Sequence, residues 1–176
     1  MTSTEQVEHG GLGRAFQVCI LVPDIEAAMK VWWEEYGVGP WKVWDLGPQN
    51  LVDMAVDEQP VEYAFRCAIT QWGPLEFELI QPLDDRSIYA QSLEEHDQRP
   101  HLHHLHCDVA DYDVALAHFR SRGHRAKMSG GLNGGRFAYL STDEEVGAII
   151  EVHDWPGTWV PPEPDMIYPP EAPNEP

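Results

Sequence analysis

Four polar residues lie within strand-like segments whose other residues are mostly apolar. Gln17, Glu78, His104 and Glu151 stand in the segments QVCIL, FELI, HLHC and IEVH. A carboxylate buried without a partner costs several kcal/mol, so a glutamate in such a segment needs a partner such as a cation. Two carboxylates, an imidazole and an amide oxygen suit a divalent ion of Zn, Ni, Co, Mn or Fe. We therefore expect these four residues to bind one divalent metal ion. One glutamate in a strand, considered alone, would be expected to face solvent.

A histidine-rich run, HLHHLH, occupies residues 101–106. Successive side chains of a strand point to opposite faces, so His104 and His106 share one face and His103 points to the other. We expect His104 to be the metal ligand and His106 to be a neighbouring acid or base. The same alternation predicts that His101 and His103 face solvent or a partner.

The two halves of the chain repeat one pattern. Residues 17–29 (QVCILVPDIEAAM) and 104–116 (HLHCDVADYDVAL) each begin as a strand, stop at an aspartate and continue with helical spacing. Asp24 and Asp111 occupy the same place in this pattern, and we expect each to cap the N-terminus of its helix.

Each half continues with period-two segments, and the sequence therefore predicts two βαβββ modules in an α+β fold. The predicted later strands are 41–46, 61–70 and 74–81 in the first half, and 124–128, 135–141 and 148–154 in the second. A single module would leave one face of its sheet exposed, so the two must pair to bury a core. In this repeat Gln17 is equivalent to His104, and Glu78 is equivalent to Glu151.

The sequence divides into five segments. They are a flexible N-terminus (1–13), the first βαβββ module (14–81), a helical connector (82–101), the second βαβββ module (102–154) and a proline-rich C-terminal arm (155–176). The prolines of the arm exclude a regular helix or an inner strand, so we expect an extended or disordered segment.

The composition of the sequence indicates which classes of partner are disfavoured and in which cellular compartment the protein is expected. With 30 acidic and 11 basic residues the formal net charge is −19, which disfavours nucleic acid and membrane as partners. The N-terminus has no basic and apolar signal pattern, and no apolar run approaches the roughly 20 residues that span a bilayer. Cys19, Cys67 and Cys107 are odd in number and lie in apolar segments, which predicts reduced, buried thiols and a cytoplasmic protein.

Several segments resemble the vicinal oxygen chelate superfamily, which includes glyoxalases, bleomycin-resistance proteins and dioxygenases. The segments are FQVCILVPDIEAAMKVWWEEYGVGPW, FELIQP, HHLHCDV and GAIIEV, and the resemblance covers residues 14–154. It is strongest to the branch of methylmalonyl-CoA epimerase. The resemblance implies an open, eight-stranded cup around one divalent metal, with Gln17, Glu78, His104 and Glu151 as ligands. The epimerase pattern has His and then Gln at the first two positions, whereas Gln17 and Glu78 give the ligand types of glyoxalase I.

The expected function is a metal-dependent isomerase, epimerase or lyase that moves a proton next to a carbonyl. In this hypothesis Glu151 is the base, and Glu78 or His106 returns the proton. The substrate is a small carbonyl compound such as an acyl thioester or a hydroxyketone, and the resemblance implies a homodimer. Two alternatives stay open: a metal-free, resistance-type protein that binds a small molecule, and an Fe(II) dioxygenase of the same superfamily.

Overall fold

The computed structural model describes residues 11–170, which form one eleven-stranded sheet with four helices. The strands are β1 (Leu12–Leu21), β2 (Trp41–Leu46), β3 (Leu51–Val56), β4 (Gln59–Pro60), β5 (Phe65–Trp72), β6 (Leu75–Pro82), β7 (His101–Val109), β8 (Ala126–Leu132), β9 (Gly135–Leu140), β10 (Ile149–Asp154) and β11 (Met166–Tyr168). The helices are α1 (Ile25–Tyr36), α2 (Ile88–Glu95), α3 (Tyr112–Ser121) and α4 (Asp143–Val146). The mixed α+β class expected from the sequence is confirmed.

Eight of the strands form two groups of four with the same internal order. The sheet order is β11-β2-β5-β6-β1-β7-β10-β9-β8-β3-β4. The first strand of each half is parallel to the last strand of that half, as β1 is to β6 and β7 is to β10. β1 and β7 pair antiparallel and join the halves. The first strands of both halves therefore lie side by side at the centre of the sheet.

Three strands lie outside those groups and were not expected from the sequence. Residues 51–56, which lie between the predicted strands 41–46 and 61–70, form β3, which pairs with β8 of the other half. Asp53 has a φ of +51°, and the register shifts between Val52 and Ala55. This irregularity interrupts the alternation by which a strand is found in a sequence.

Helices cover both faces of the sheet. On one face α1 packs over the first half and α3 over the second. On the other face α2 and the segment around Tyr63 pack over the centre of the sheet. This second core includes Tyr89 and Tyr139, and both rings are fully or almost fully buried. Side chains that point from β1, β6, β7 and β10 into this core are shielded from water.

The two predicted helix caps are confirmed. The Asp24 carboxylate accepts a hydrogen bond of 2.9 Å from the Ala27 N–H, and the Asp111 carboxylate accepts one of 2.9 Å from the Val114 N–H. Gly37 ends α1 with a φ of +67°, a conformation that is open to glycine at little cost.

Replacing Asp111 by alanine removes the cap of α3, so we expect the free energy of unfolding to fall by about 0.5–2 kcal/mol. Asp111→Asn keeps an oxygen acceptor and should stay close to the parent protein. Urea unfolding measures both variants. Equal stability of the alanine and asparagine variants would show that the cap does not stabilise α3.

Segments near both ends of the described range belong to the sheet. β1 begins at Leu12, and residues 1–10 of the predicted flexible N-terminus lie outside the described residues. The connector holds α2, and the proline-rich arm contributes the short edge strand β11, which pairs with β2; residues 171–176 also lie outside the described range. Within residues 11–170 no helix combines the length and apolarity needed to cross a membrane. All three cysteines are buried and unpaired, as expected.

Candidate metal centre

The four central strands β6, β1, β7 and β10 bring a group of polar side chains to one face of the sheet. The group consists of Gln17, Cys19, Glu76, Glu78, His104, His106 and Glu151. Cys19 lies opposite both Glu78 and His104, and Glu151 lies opposite His106. Residues that face each other across neighbouring strands share a side of the sheet, so the pairing itself assembles the site.

His104 lies between the two glutamates. Its Nε2 is 3.2 Å from Glu78 Oε2 and 3.1 Å from Glu151 Oε2. His104 has no exposed surface, and the two glutamates are 7% and 5% exposed. The structure therefore brings three of the four predicted ligands into direct contact.

Gln17 reaches the same cluster through His106. His106 Nδ1 donates to Gln17 Oε1 at 2.9 Å and lies 3.4 Å from Glu151 Oε2. The Gln17 amide nitrogen contacts Glu76 Oε2 at 3.4 Å. The Gln17 oxygen thus points into the cluster, but its direct neighbour is His106, and His104 is not among its hydrogen-bond partners.

The donor atoms fit a divalent ion. Glu78 Oε2 and His104 Nε2 are buried, and neither makes a hydrogen bond of acceptable geometry within the described part of the chain. Buried polar atoms without partners cost free energy, which a bound cation would offset. Ligand atoms of Cys19, Glu78 and His104 lie within 4.8 Å of one another. Imidazole, carboxylate and thiolate donors together suit a transition-metal ion.

Cys19 is a candidate ligand that the sequence interpretation assigned to packing. Burial raises the pKa of its thiol to about 12. Without a cation the thiol is therefore neutral at neutral pH and is a poor nucleophile. The position of Cys19 on the face of Gln17 was visible in the alternation of β1, and this was the signal that could have identified it.

The two glutamates differ in their electrostatics. Burial raises the pKa of Glu78. Burial acts in the same direction on Glu151, but the charges of His106 and of His104, which lies 3.1 Å away, outweigh it, so the pKa of Glu151 is lowered. Of the two carboxyl groups, Glu151 keeps its negative charge more readily, whereas Glu78 is the better carrier of a proton.

The expectation that His103 faces solvent or a partner is wrong. Its side chain is 4% exposed, and its ring packs 5.3 Å from the Tyr89 ring. The pairing of β1 with β7 shifts register between Cys19 and Ile20, which leaves His103 as an extra, bulged residue. A bulge redirects a side chain against the simple alternation. His101 is half-buried rather than free in solvent, because Ser92 Oγ contacts its Nε2 at 2.8 Å.

A second bulge lies on β1 beside Gln17. The register shifts between Ala15 and Gln17, and the Phe16 ring packs 4.6 Å from the ring of His106. His153 Nδ1 lies 2.7 Å from His106 Nε2 and is only half-buried. A chain of contacts therefore runs from Glu151 through His106 to His153, which lies nearer to solvent.

Comparisons with known proteins match this architecture. The glyoxalase/bleomycin resistance protein/dioxygenase superfamily matches residues 16–139. A hypothetical protein from Bacillus halodurans is similar in structure, with a TM-score of 0.61 at 16% identity over 84% of this chain and 97% of that one.

Two structures of methylmalonyl-CoA epimerases are also similar. A Streptomyces coelicolor variant in complex with 2-nitronate-propionyl-CoA has a TM-score of 0.56 at 20% identity over 86% of this chain and 100% of that one. The Mycobacterium tuberculosis protein has a TM-score of 0.51 at 23% identity over 87% and 91%. No curated protein matches the chain. The superfamily match confirms the resemblance seen in the sequence, and the similar structures include the epimerase branch named there.

Proposed function

Because this chain belongs to the glyoxalase/bleomycin resistance protein/dioxygenase superfamily, we propose that it is a metal-dependent isomerase, epimerase or lyase. It would transfer a proton at the carbon next to a carbonyl of a small substrate. An acyl thioester is one candidate substrate, since the similar Streptomyces epimerase is described in complex with a propionyl-CoA derivative. A hydroxyketone is the other.

One observation carries this proposal. His104 Nε2 stands between the carboxylates of Glu78 and Glu151 at 3.2 and 3.1 Å, while Glu78 Oε2 and His104 Nε2 make no hydrogen bond within the described residues. Glu78, His104 and Glu151 would hold the ion, with Gln17 or Cys19 as a further ligand. A divalent ion there would supply Lewis-acid stabilisation of the negative charge that develops on a substrate oxygen.

The protein residues have separate roles in the proton transfer. Glu151, whose lowered pKa keeps it ionised, takes the proton from the carbon. Glu78, which reaches the same face of the sheet from β6, would return a proton to the carbon after the substrate displaces its carboxylate from the ion. His106 contacts both Gln17 and Glu151, so it can hold Glu151 in place or exchange a proton with it.

Partners and location complete the proposal. We propose a homodimer in the cytoplasm that acts on a small molecule and binds neither nucleic acid nor membrane. The net charge of −19 supports the last two points, because it repels phosphate backbones and anionic lipid.

The first test combines metal content with solvent exchange. We expect close to one Zn, Ni, Co, Mn or Fe ion per chain by elemental analysis of the purified protein. The metal-loaded protein should then catalyse deuterium uptake from solvent into an oxoacid, a hydroxyketone or an acyl thioester. Absence of bound metal after supplementation with each ion would contradict the proposal and favour a metal-free binding protein. Oxygen consumption by anaerobically iron-loaded protein would favour a dioxygenase.

A further inference from the structure

The donors of the metal site are shielded from solvent, although the proposed reaction needs a substrate oxygen at the ion. Glu78, His104 and Glu151 are 7%, 0% and 5% exposed. A covering segment must therefore move before a substrate can enter. We propose that this segment is residues 155–165 of the proline-rich arm, which we call the strap, and that the strap gates the metal site. This inference rests on the proposed function.

The strap connects two strands that lie far apart in the order of the sheet. Trp159 Nε1 donates to the Leu132 carbonyl of β8 at 3.0 Å. Trp44 Nε1 of β2 donates to the Pro162 carbonyl at 2.9 Å. Six strands lie between β2 and β8, so a flat sheet would hold them more than about 30 Å apart. Three residues of chain span at most about 11 Å. Even with the reach of two indole side chains, the sheet must therefore curl, and the strap bridges its concave side.

The strap lies on the same face of the sheet as the metal site. Trp155 and Trp159 pack against the buried core on that face. The Trp155 ring stacks on the rings of His153 and Trp159, with centroids 5.1 and 4.4 Å apart. His153 is the outer end of the chain of contacts that begins at Glu151 and passes through His106. Trp155 therefore covers the end of this chain that lies nearest to solvent.

The other segments over the site are held more firmly than the strap. Tyr63 and Tyr89 are fully buried, and the Tyr89 hydroxyl donates to the Tyr139 hydroxyl at 2.7 Å. In the strap, by contrast, residues 156–158 and 160 are exposed, and its two tryptophans are only half-buried. Segments with few buried contacts open at a lower free energy than the core. The strap is therefore the covering segment that opens most readily.

The strap is fixed at its far end. The Asp165 carboxylate accepts a hydrogen bond of 2.8 Å from the Asp45 N–H, and the Asp165 N–H donates to the Val43 carbonyl at 2.8 Å. The chain then continues into β11, which pairs with β2. Opening therefore concerns the residues between β10 and Asp165, and it leaves β11 in the sheet.

Gly135, at the start of β9, forms the seat of the Trp155 ring. A methyl group at Gly135 would overlap this ring, and its other close neighbour would be the Asp154 carbonyl at 3.2 Å. The φ of Gly135 is not positive, so alanine fits the backbone at this position. Gly135→Ala therefore displaces the strap without replacing any donor of the metal site.

The first test measures how fast the full chain, loaded with zinc, releases the ion to EDTA. Overpacking the seat of Trp155 disfavours the closed strap, so Gly135→Ala should release zinc about 10-fold faster or more. Gly157→Ala is the matched control, because it adds the same methyl group within the strap where no atom lies within 4 Å. This control should release zinc at the rate of the parent protein.

A second measurement separates opening of the strap from general unfolding, and it needs no metal. The metal-free protein is treated with N-ethylmaleimide, and modification of each cysteine is followed by mass spectrometry. Cys19 lies in the core on the metal face, whereas Cys107 lies in the core on the opposite face. Gly135→Ala should speed modification of Cys19 by about 10-fold and leave Cys107 unchanged. Equal acceleration of both cysteines would indicate unfolding and would overturn the strap.

Trp155→Ala protects the test against a Gly135→Ala variant that does not fold. It removes the covering ring and should also speed zinc release and Cys19 modification. Rates like those of the parent protein in both variants would overturn the strap and leave the proposed function standing. Failure of the parent protein to bind any divalent metal would overturn the proposed function, and modification of Cys19 would then still decide whether the strap covers this face.

Discussion

Replacing Glu151 by glutamine is expected to lower the rate of proton transfer by about 10²–10⁴-fold while the fold and substrate binding are retained. The amide keeps the size of the side chain and an oxygen for the ion, but it cannot accept the proton from the substrate carbon. Glu151 is 5% exposed and lies 3.1 Å from His104 Nε2, so its carboxylate is held at the centre of the site. The measurement is the rate of deuterium uptake into the substrate identified by screening.

The matched control for this variant is Glu35→Gln, which makes the same chemical change at an exposed position of α1. It should keep the parent rate. Glu78→Gln should also slow the reaction, because the residue that returns the proton is removed. Near-full activity of Glu151→Gln would rule out Glu151 as the base.

Replacing His104 by alanine is expected to abolish metal binding. His104 is fully buried and is the side chain that contacts both glutamates, so its removal leaves two carboxylates facing a new cavity. An ion at 1,000 times its dissociation constant stabilises a folded protein by about 4 kcal/mol. The parent protein should gain stability of this order with metal, whereas His104→Ala should gain none.

Metal content and thermal unfolding with and without a chelator measure this effect. His118→Ala removes a histidine of α3 outside the cluster and should behave like the parent protein. Retention of one ion per chain in His104→Ala would contradict the site. If the variant fails to fold, Glu78→Ala tests the same site from β6, on the other side of β1.

The fourth ligand can be identified by comparing three alanine variants. Loss of metal in Glu151→Ala and Gln17→Ala, with retention in Cys19→Ala, would support the ligand set read from the sequence. Loss of metal in Cys19→Ala and retention of metal in Gln17→Ala would favour the Cys19 thiolate as the ligand. The ligand atoms of Cys19, Glu78 and His104 all lie within 4.8 Å of one another. The two ligand sets share Glu78 and His104 and differ in the residue of β1 that binds the ion, which is either Gln17 or Cys19. Comparing these two alanine variants therefore distinguishes the sets.

Local patterns in the sequence determined the elements and the face on which the polar residues lie. Alternation within β7 placed His104 and His106 together, and the repeat between the halves related Glu78 to Glu151. The aspartate before each helix predicted its cap, and both caps are present. The alternation and the caps depend on neighbours within a few residues, and the repeat appears when one half of the sequence is compared with the other, so one sequence is sufficient to predict these features.

The tertiary structure decided what depends on the register between strands distant in sequence. The bulge that turns His103 inward exists only because β7 pairs with β1, and no alternation rule within β7 predicts it. Pairing also placed Cys19 beside Glu78 and His104, gave Gln17 His106 as its direct neighbour and added β3 to the edge of the other half. A shift of one residue in the register moves a side chain to the opposite face of the sheet. The residue types were therefore sufficient to predict a metal site, whereas the pairing of the strands determined which atoms are in contact.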